Sequence, residues 1–141
     1  GLWEYGQRAI AASGEAGVVA IFSQKMLAGE QPTIFGDGGQ TRDYVYVGDV
    51  VAGYLSLLDR PEAAGSMNIG TGIETDVNEL ARIIGAAANY NGEPAYAPGK
   101  PGEQRRSVIS HQLATERLGW TPRMDLQTGL QETVAWFAQR V

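Results

Sequence analysis

The segment Ile34-Phe35-Gly36-Asp37-Gly38-Gly39-Gln40-Thr41-Arg42-Asp43-Tyr44-Val45-Tyr46-Val47-Gly48-Asp49-Val50 constrains this chain more than any other. A short apolar run enters a glycine-rich turn. An arginine and an aspartate then open a β-branched and aromatic run that ends on an aspartate before a helical pattern. Turn glycines reverse the chain, and β-branched and aromatic residues favour extended backbone. Thr33 to Phe35 and Arg42 to Val47 therefore read as two strands, with a buried Arg42-Asp43 pair beside the turn. Asp49 reads as the N-cap of a helix from Val50 to Leu58, closed by Pro61.

Helical and extended patterns alternate at short intervals on both sides of this segment, which gives an α/β fold with a small mixed sheet and about five helices. Val18, Val19, Phe22, Met26 and Leu27 have helical spacing, and Gly29 is placed to stop that helix. Met67 to Gly70 reads as a strand. Asp76 and Glu79 have capping-box spacing ahead of Leu80, Ile83, Ile84 and Ala87. Pro94 to Ala97 reads as extended. Val108 and Ile109 lead into a helix from Leu113 to Leu118, and a last helix runs from Leu126 to the end.

With 141 residues, the chain is expected to form a single domain spanning 1–141, and can bury a core without staples. Cysteine is absent, which excludes disulfides, thiol nucleophiles and thiolate metal sites. A formal net charge of −5 with no basic run argues against a nucleic-acid partner, so an anionic ligand would need a local arginine cluster. No apolar stretch approaches the roughly 20 residues of a membrane span, and no signal-peptide pattern opens the chain. The expected setting is soluble and cytoplasmic, with no membrane partner. His111, the only histidine, reads as a helix-start or surface residue.

Five motifs in order carry a resemblance to a family. They are Tyr5-Gly6-Gln7-Arg8, the helix from Ala16 to Phe22, the stretch Pro32 to Asp49, Asn68-Ile69-Gly70-Thr71-Gly72, and Leu118-Gly119-Trp120-Thr121-Pro122 with its following helix. Together they resemble the substrate-binding, C-terminal part of the NAD-dependent epimerases and dehydratases, the extended short-chain dehydrogenases/reductases, with UDP-glucose 4-epimerases nearest. Two departures stand out: Gln7 replaces a proline, and Lys100-Pro101-Gly102-Glu103 resembles an Arg-x-Gly-Asp segment with both ends changed.

The resemblance implies site residues. Arg42 is the diphosphate arginine, Asp43 a positioning group, and Thr33, Ile34 and Phe35 the place that receives the uracil. Lys100 and Glu103 would contact phosphate and ribose, with Arg105 and Arg106 as further phosphate contacts. The implied ligand is a UDP-sugar or related nucleotide diphosphate. No catalytic, metal or cofactor residue is assigned within the chain, and NAD would belong to a Rossmann half outside it, on a longer chain or a separate polypeptide. Alone, the chain is then expected to be inactive. A non-catalytic diphosphate-binding or regulatory module and a structural dimerisation protein are the alternatives.

Two further spacings resemble cofactor or catalytic motifs without meeting their requirements. Gly70-Thr71-Gly72 lacks the third glycine and downstream acid of a dinucleotide fingerprint, and reads as a strand-end turn. Tyr96 and Lys100 have the spacing of the family's Tyr-x-x-x-Lys pair, but Pro98 and Gly99 forbid the helix that would align them. In the intact family the stretch resembling Thr75 to Tyr96 crosses back onto the cofactor sheet. Here the stripe Leu80, Ile83, Ile84, Ala87 and the strand at 94–97 would need another cover. A homodimer or repacking onto the domain's own sheet is expected, with Trp3 to Ala12 as the local substitute.

Overall fold

The computed structural model describes residues 17–63 and 65–140. Its elements are α1 (Val18–Leu27), β1 (Thr33–Phe35), β2 (Thr41–Arg42), α2 (Val47–Asp59), β3 (Thr75–Asp76), α3 (Val77–Ala87), β4 (Ala95–Ala97), α4 (Gln112–Leu118) and α5 (Leu126–Ala138). The described residues divide into two compact units. Tyr5 to Arg8 and Trp3 to Ala12 lie outside the described residues.

The first unit comprises residues 17–39, 77–103 and 130–140. Its strands β1 and β4 pair in parallel, with Thr33 opposite Ala95, Ile34 opposite Tyr96 and Phe35 opposite Ala97. Parallel strands need a crossover, and α3 lies on it. Alternation along β1 sends Ile34 into the core and leaves Phe35 exposed. Gly38 sits at φ 76°, which an L side chain adopts at a cost, and its carbonyl accepts the first helical amides of α3 from Val77 at 2.9 Å and Asn78 at 3.3 Å. The glycine turn thus fixes where α3 begins.

The apolar stripe of α3, expected to be covered by a second copy or by the domain's own sheet, is buried within the chain against α1. Leu80 and Ile84 are fully buried, and α3 packs on α1, where Gly85 lets Met26 approach. The strand at 94–97 is paired with β1 along its length from Ala95. A helix face worth roughly 1.5–3 kcal/mol per large buried side chain thereby finds cover against α1.

The second unit comprises Gln40–Asp76 and Gln104–Gly129. Here β2 and β3 are antiparallel, Thr41 opposite Asp76 and Arg42 opposite Thr75. The small sheet of the sequence reading is therefore two separate two-stranded ladders among the described residues. The core gathers Ala63, Ala114, Leu118 and Trp120, with Val45, Leu57, Met67 and Ile69 packed against it. Gly119 at φ 65° closes α4 in the left-handed C-terminal arrangement.

Three boundaries differ from the sequence reading. The expected strand Arg42 to Val47 ends at Arg42: beyond it Ile73 N donates to Thr71 Oγ1 and Gly72 N to the Asp43 carboxylate, in place of ladder bonds. α2 begins at Val47 with Tyr46 as N-cap, and Tyr46 O accepts from Asp49 N and Val50 N. Asp49 is thus in the first turn, not the cap. Its buried carboxylate accepts from Arg123 N and Met124 N at 3.0 Å, while Trp120 Nε1 donates to Asp49 O at 2.8 Å. Met67 to Gly70 forms no ladder, and Thr75–Asp76 supplies β3 in its place.

Candidate functional site

In the second unit, the segment Gln104 to Arg106 is clipped along β2. Thr41 N donates to Arg105 O at 2.9 Å, and Arg42 Nη1 donates to Gln104 O and to Thr41 O, each at 2.7 Å. Arg106 grips Glu74 through Nε at 2.9 Å and Nη2 at 2.6 Å, and Thr41 Oγ1 donates to the same carboxylate at 2.8 Å. These bonds hold the Arg42 and Arg106 side chains beside β2 and put the Arg105 backbone against it, in a chain whose formal net charge is −5. The Arg106 fork and the Thr41 hydroxyl hold Glu74 down to about 2, and Glu74 in turn raises Arg106. Burial pushes the Tyr44 phenol up; Arg42 opposes that and Asp76 adds to it.

Asp43 is the second feature of this unit. Its Oδ1 accepts from Thr71 N at 2.9 Å and Thr71 Oγ1 at 2.6 Å; its Oδ2 accepts from Gly72 N at 2.9 Å and Ile109 N at 3.2 Å. Burial raises the Asp43 carboxyl, but the bonds from Thr71, Gly72 and Ile109 outweigh it and leave it below its ordinary value. One carboxylate therefore ties together three chain segments. Arg42 and Asp43, expected as a pair, serve different groups, as neighbours on an extended backbone do when their side chains leave on opposite faces.

The Gly70-Thr71-Gly72 turn is the one held by Asp43. Gly70 is required there, since a Cβ would lie 2.8 Å from Ile109 Cβ and 3.0 Å from Asp43 Oδ2. His111 stands at the N-cap position of α4, edge-on to Trp120 at 5.6 Å. A recess of about 530 Å³ is lined by Gly72, Val108, Ile109, Ser110, His111, Gln112 and Thr115. None of its lining residues is among those the sequence singled out for ligand contact.

In the first unit, Lys100 Nζ lies 5.1 Å from the centre of the Phe35 ring. Thr33 and Ile34 stand beside Phe35 on β1, and Glu103 follows Lys100 in a turn closed by Glu103 N to Lys100 O at 3.3 Å. Tyr96 is on β4, where its hydroxyl donates to Asn78 Oδ1 at 2.7 Å. Tyr96 and Lys100 therefore share no helix face. Glu74, Thr41 and Thr71 were not singled out by the sequence; only the two-residue strand β3, which has no distinctive pattern, places Glu74 beside β2.

One unit thus offers a parallel β1–β4 pair and the other offers arginines placed along β2 after a glycine turn, as the resemblance to the extended short-chain dehydrogenases/reductases implies. Comparison with known proteins agrees. The model of the NAD dependent epimerase/dehydratase family matches residues 4–70. The UDP-glucose 4-epimerase of Mycolicibacterium smegmatis is 43% identical over 127 residues, which are 90% of this chain and 41% of that protein. A putative UDP-glucose 4-epimerase of Methanocaldococcus jannaschii is 47% identical over 123 residues, 87% of this chain and 39% of that one. The crystal structure of Thermotoga maritima UDP-glucose 4-epimerase with UDP-glucose superposes with a TM-score of 0.85 at 44% identity, covering 96% of this chain and 43% of that chain. The chain belongs to the NAD-dependent epimerase/dehydratase family, and spans about two fifths of the length of these relatives.

The long apolar run of a membrane helix is also missing: no helix among the described residues is long and apolar enough to cross a bilayer.

Proposed function

We propose that this chain supplies the nucleotide-sugar-binding part of a UDP-sugar 4-epimerase-type enzyme and holds the ligand's diphosphate at the Arg42, Arg105, Arg106 cluster. The observation that carries this reading is the clipping of Gln104 to Arg106 onto β2, which sets the Arg42 and Arg106 side chains and the Arg105 backbone beside one strand in an acidic protein. Guanidinium suits a diphosphate because each charge-assisted hydrogen bond contributes about 1.5–3 kcal/mol and its planar fork fixes orientation. Further support comes from the relative at 44% identity whose structure was determined with UDP-glucose.

In the same reading Thr33, Ile34 and Phe35 receive the base, and Lys100 and Glu103 contact phosphate and ribose. Lysine offers a point charge where a fork would bind two oxygens, so the Lys100 contact contributes less than an arginine there would. Residues that hold NAD belong to the portion of the relatives that this chain does not match. The reaction of the whole enzyme is then reversible hydride removal from the sugar's C4 to NAD and its return to the opposite face.

Calorimetric titration tests the reading. UDP-glucose binds with a Kd in the micromolar-to-millimolar range, roughly −4 to −8 kcal/mol, and more weakly at high salt. Arg42→Ala weakens it at least about tenfold, the loss of one charge-assisted bond. Equal affinity in the two proteins removes Arg42 from the site.

A further inference from the structure

Glu74 stands at the centre of the clip on β2. Its carboxylate accepts from Arg106 Nε at 2.9 Å and Arg106 Nη2 at 2.6 Å, and from Thr41 Oγ1 at 2.8 Å. The Glu74 side chain is 25% exposed and that of Arg106 75%, so the acid is the sheltered member of the pair and the arginine the outlying one. Thr41 is the anchor. Its amide donates to Arg105 O, its carbonyl accepts from Arg42 Nη1, and its hydroxyl donates to Glu74. The backbone and side chain of one residue thus hold the surroundings of both the Arg42 and the Arg106 guanidinium groups.

The geometry leaves a particular part of Arg106 over. A guanidinium carries its N–H donors in a rigid planar fork. Glu74 takes the edge made by Nε and Nη2, and among the described residues Nη1 donates to nothing. The donors that remain, on Nη1 and the far side of Nη2, share the other edge of the fork, the arrangement that meets two phosphate oxygens side by side. As a contribution to stability, an ion pair this exposed is weak, because water screens it and ordering two long side chains opposes it. What it does supply is a fixed direction for a side chain whose rotamers would otherwise have to be ordered when a ligand binds.

We infer that Glu74 is a positioning residue for the diphosphate of the ligand: it grips one edge of Arg106 so that the other is held ready beside the strand that carries Arg42. The inference rests on the proposed binding of a diphosphate at these arginines. A carboxylate placed near a phosphate repels it unless a cation neutralises the pair. Glu74 therefore assists binding while Arg106 is present and opposes it once Arg106 is gone, a reversal of sign that a merely structural role does not produce.

Amide NMR titration with UDP and with uridine tests this in the parent, Glu74→Gln, Arg106→Ala and the double variant, each verified as folded by circular dichroism. Glu74→Gln is expected to weaken UDP binding about three- to tenfold and to leave uridine unchanged, since uridine has no phosphate to meet the fork. Added to Arg106→Ala, the same substitution strengthens UDP binding, because it removes a negative charge left without its arginine. Tighter UDP binding in Glu74→Gln alone makes the acid a competitor of the phosphate for Arg106 and overturns the inference. Unchanged UDP affinity overturns it too, as does a loss of the same size with and without Arg106, or an equal loss for uridine. Arg42→Ala, titrated alongside, separates the two claims. UDP binding that falls in Arg42→Ala but ignores Glu74→Gln leaves the diphosphate reading standing and removes Glu74 from it; UDP binding indifferent to both Arg42→Ala and Arg106→Ala removes the reading, and the inference with it.

Discussion

Replacing Asp43 with asparagine is the sharpest probe of how this chain presents its arginines. The substitution keeps size and shape, so packing is unchanged and only acceptor capacity and charge are lost. Asparagine retains one carbonyl oxygen for Thr71 N and Thr71 Oγ1, but its amide nitrogen then faces Gly72 N and Ile109 N, two donors that met Oδ2 at 2.9 and 3.2 Å. Two charge-assisted bonds at about 1.5–3 kcal/mol each set the gross loss, and water returning to this half-buried node recovers part of it. The expected destabilisation is about 2–4 kcal/mol. With a urea m-value of about 2 kcal/mol/M, the middle of the usual range, the midpoint falls by roughly 1–2 M. Trp120 sits in the core of the same unit and reports the transition by fluorescence. A double-mutant cycle with Thr71→Val should be non-additive, since Thr71→Val removes the bond from Thr71 Oγ1 to Asp43 at 2.6 Å and Asp43→Asn removes the charge that strengthens it. An unchanged midpoint, or additive losses, refutes the view that one carboxylate organises these segments.

Gly70→Ala should lower the melting temperature, because its Cβ would meet Ile109 Cβ at 2.8 Å, an overpacking typically worth about 1–3 kcal/mol, and a calorimetric scan reads the shift. Acid should loosen the clip on β2. Glu74 is held at about 2 against an ordinary value of 4.5, so its contribution is complete above the unfolded value and is lost as pH falls toward 2. Accordingly, Glu74→Gln should be less stable than the parent at pH 6 and lose that difference in acid, as urea midpoints at several pH values would reveal.

Much of the fold was legible because several local signals agreed with tertiary packing. α1 and α5 have apolar spacing that matches their buried faces: Phe22 and Met26 on one, Leu130, Val134 and Phe137 on the other. The break at Pro98 and Gly99 likewise separated Tyr96 from Lys100. What was illegible is where side chains take over from backbone. Asp49 resembles an N-cap in sequence, yet a first-turn acid is also favoured by the helix dipole, and only the distant amides of Arg123 and Met124 decide between the two. Asp43 similarly replaces a ladder with a carboxylate, so a β-branched run did not become a strand. The α3 stripe was correctly read as needing cover, but its partner, α1, lies far away in the chain.

For the proposed site, the sequence picked out Arg42, Arg105 and Arg106, and the clip on β2 sets the Arg42 and Arg106 side chains and the Arg105 backbone along one strand. It gave no sign of Glu74, because an acid just before a two-residue strand has no pattern to mark it.

Amide NMR during a UDP titration tests the central claim most directly. The account predicts saturable shifts at Arg42, Arg105 and Arg106 that fit one dissociation constant and disappear in Arg42→Ala. Shifts confined to the recess around His111, or none at any of the three arginines at millimolar UDP, would contradict it.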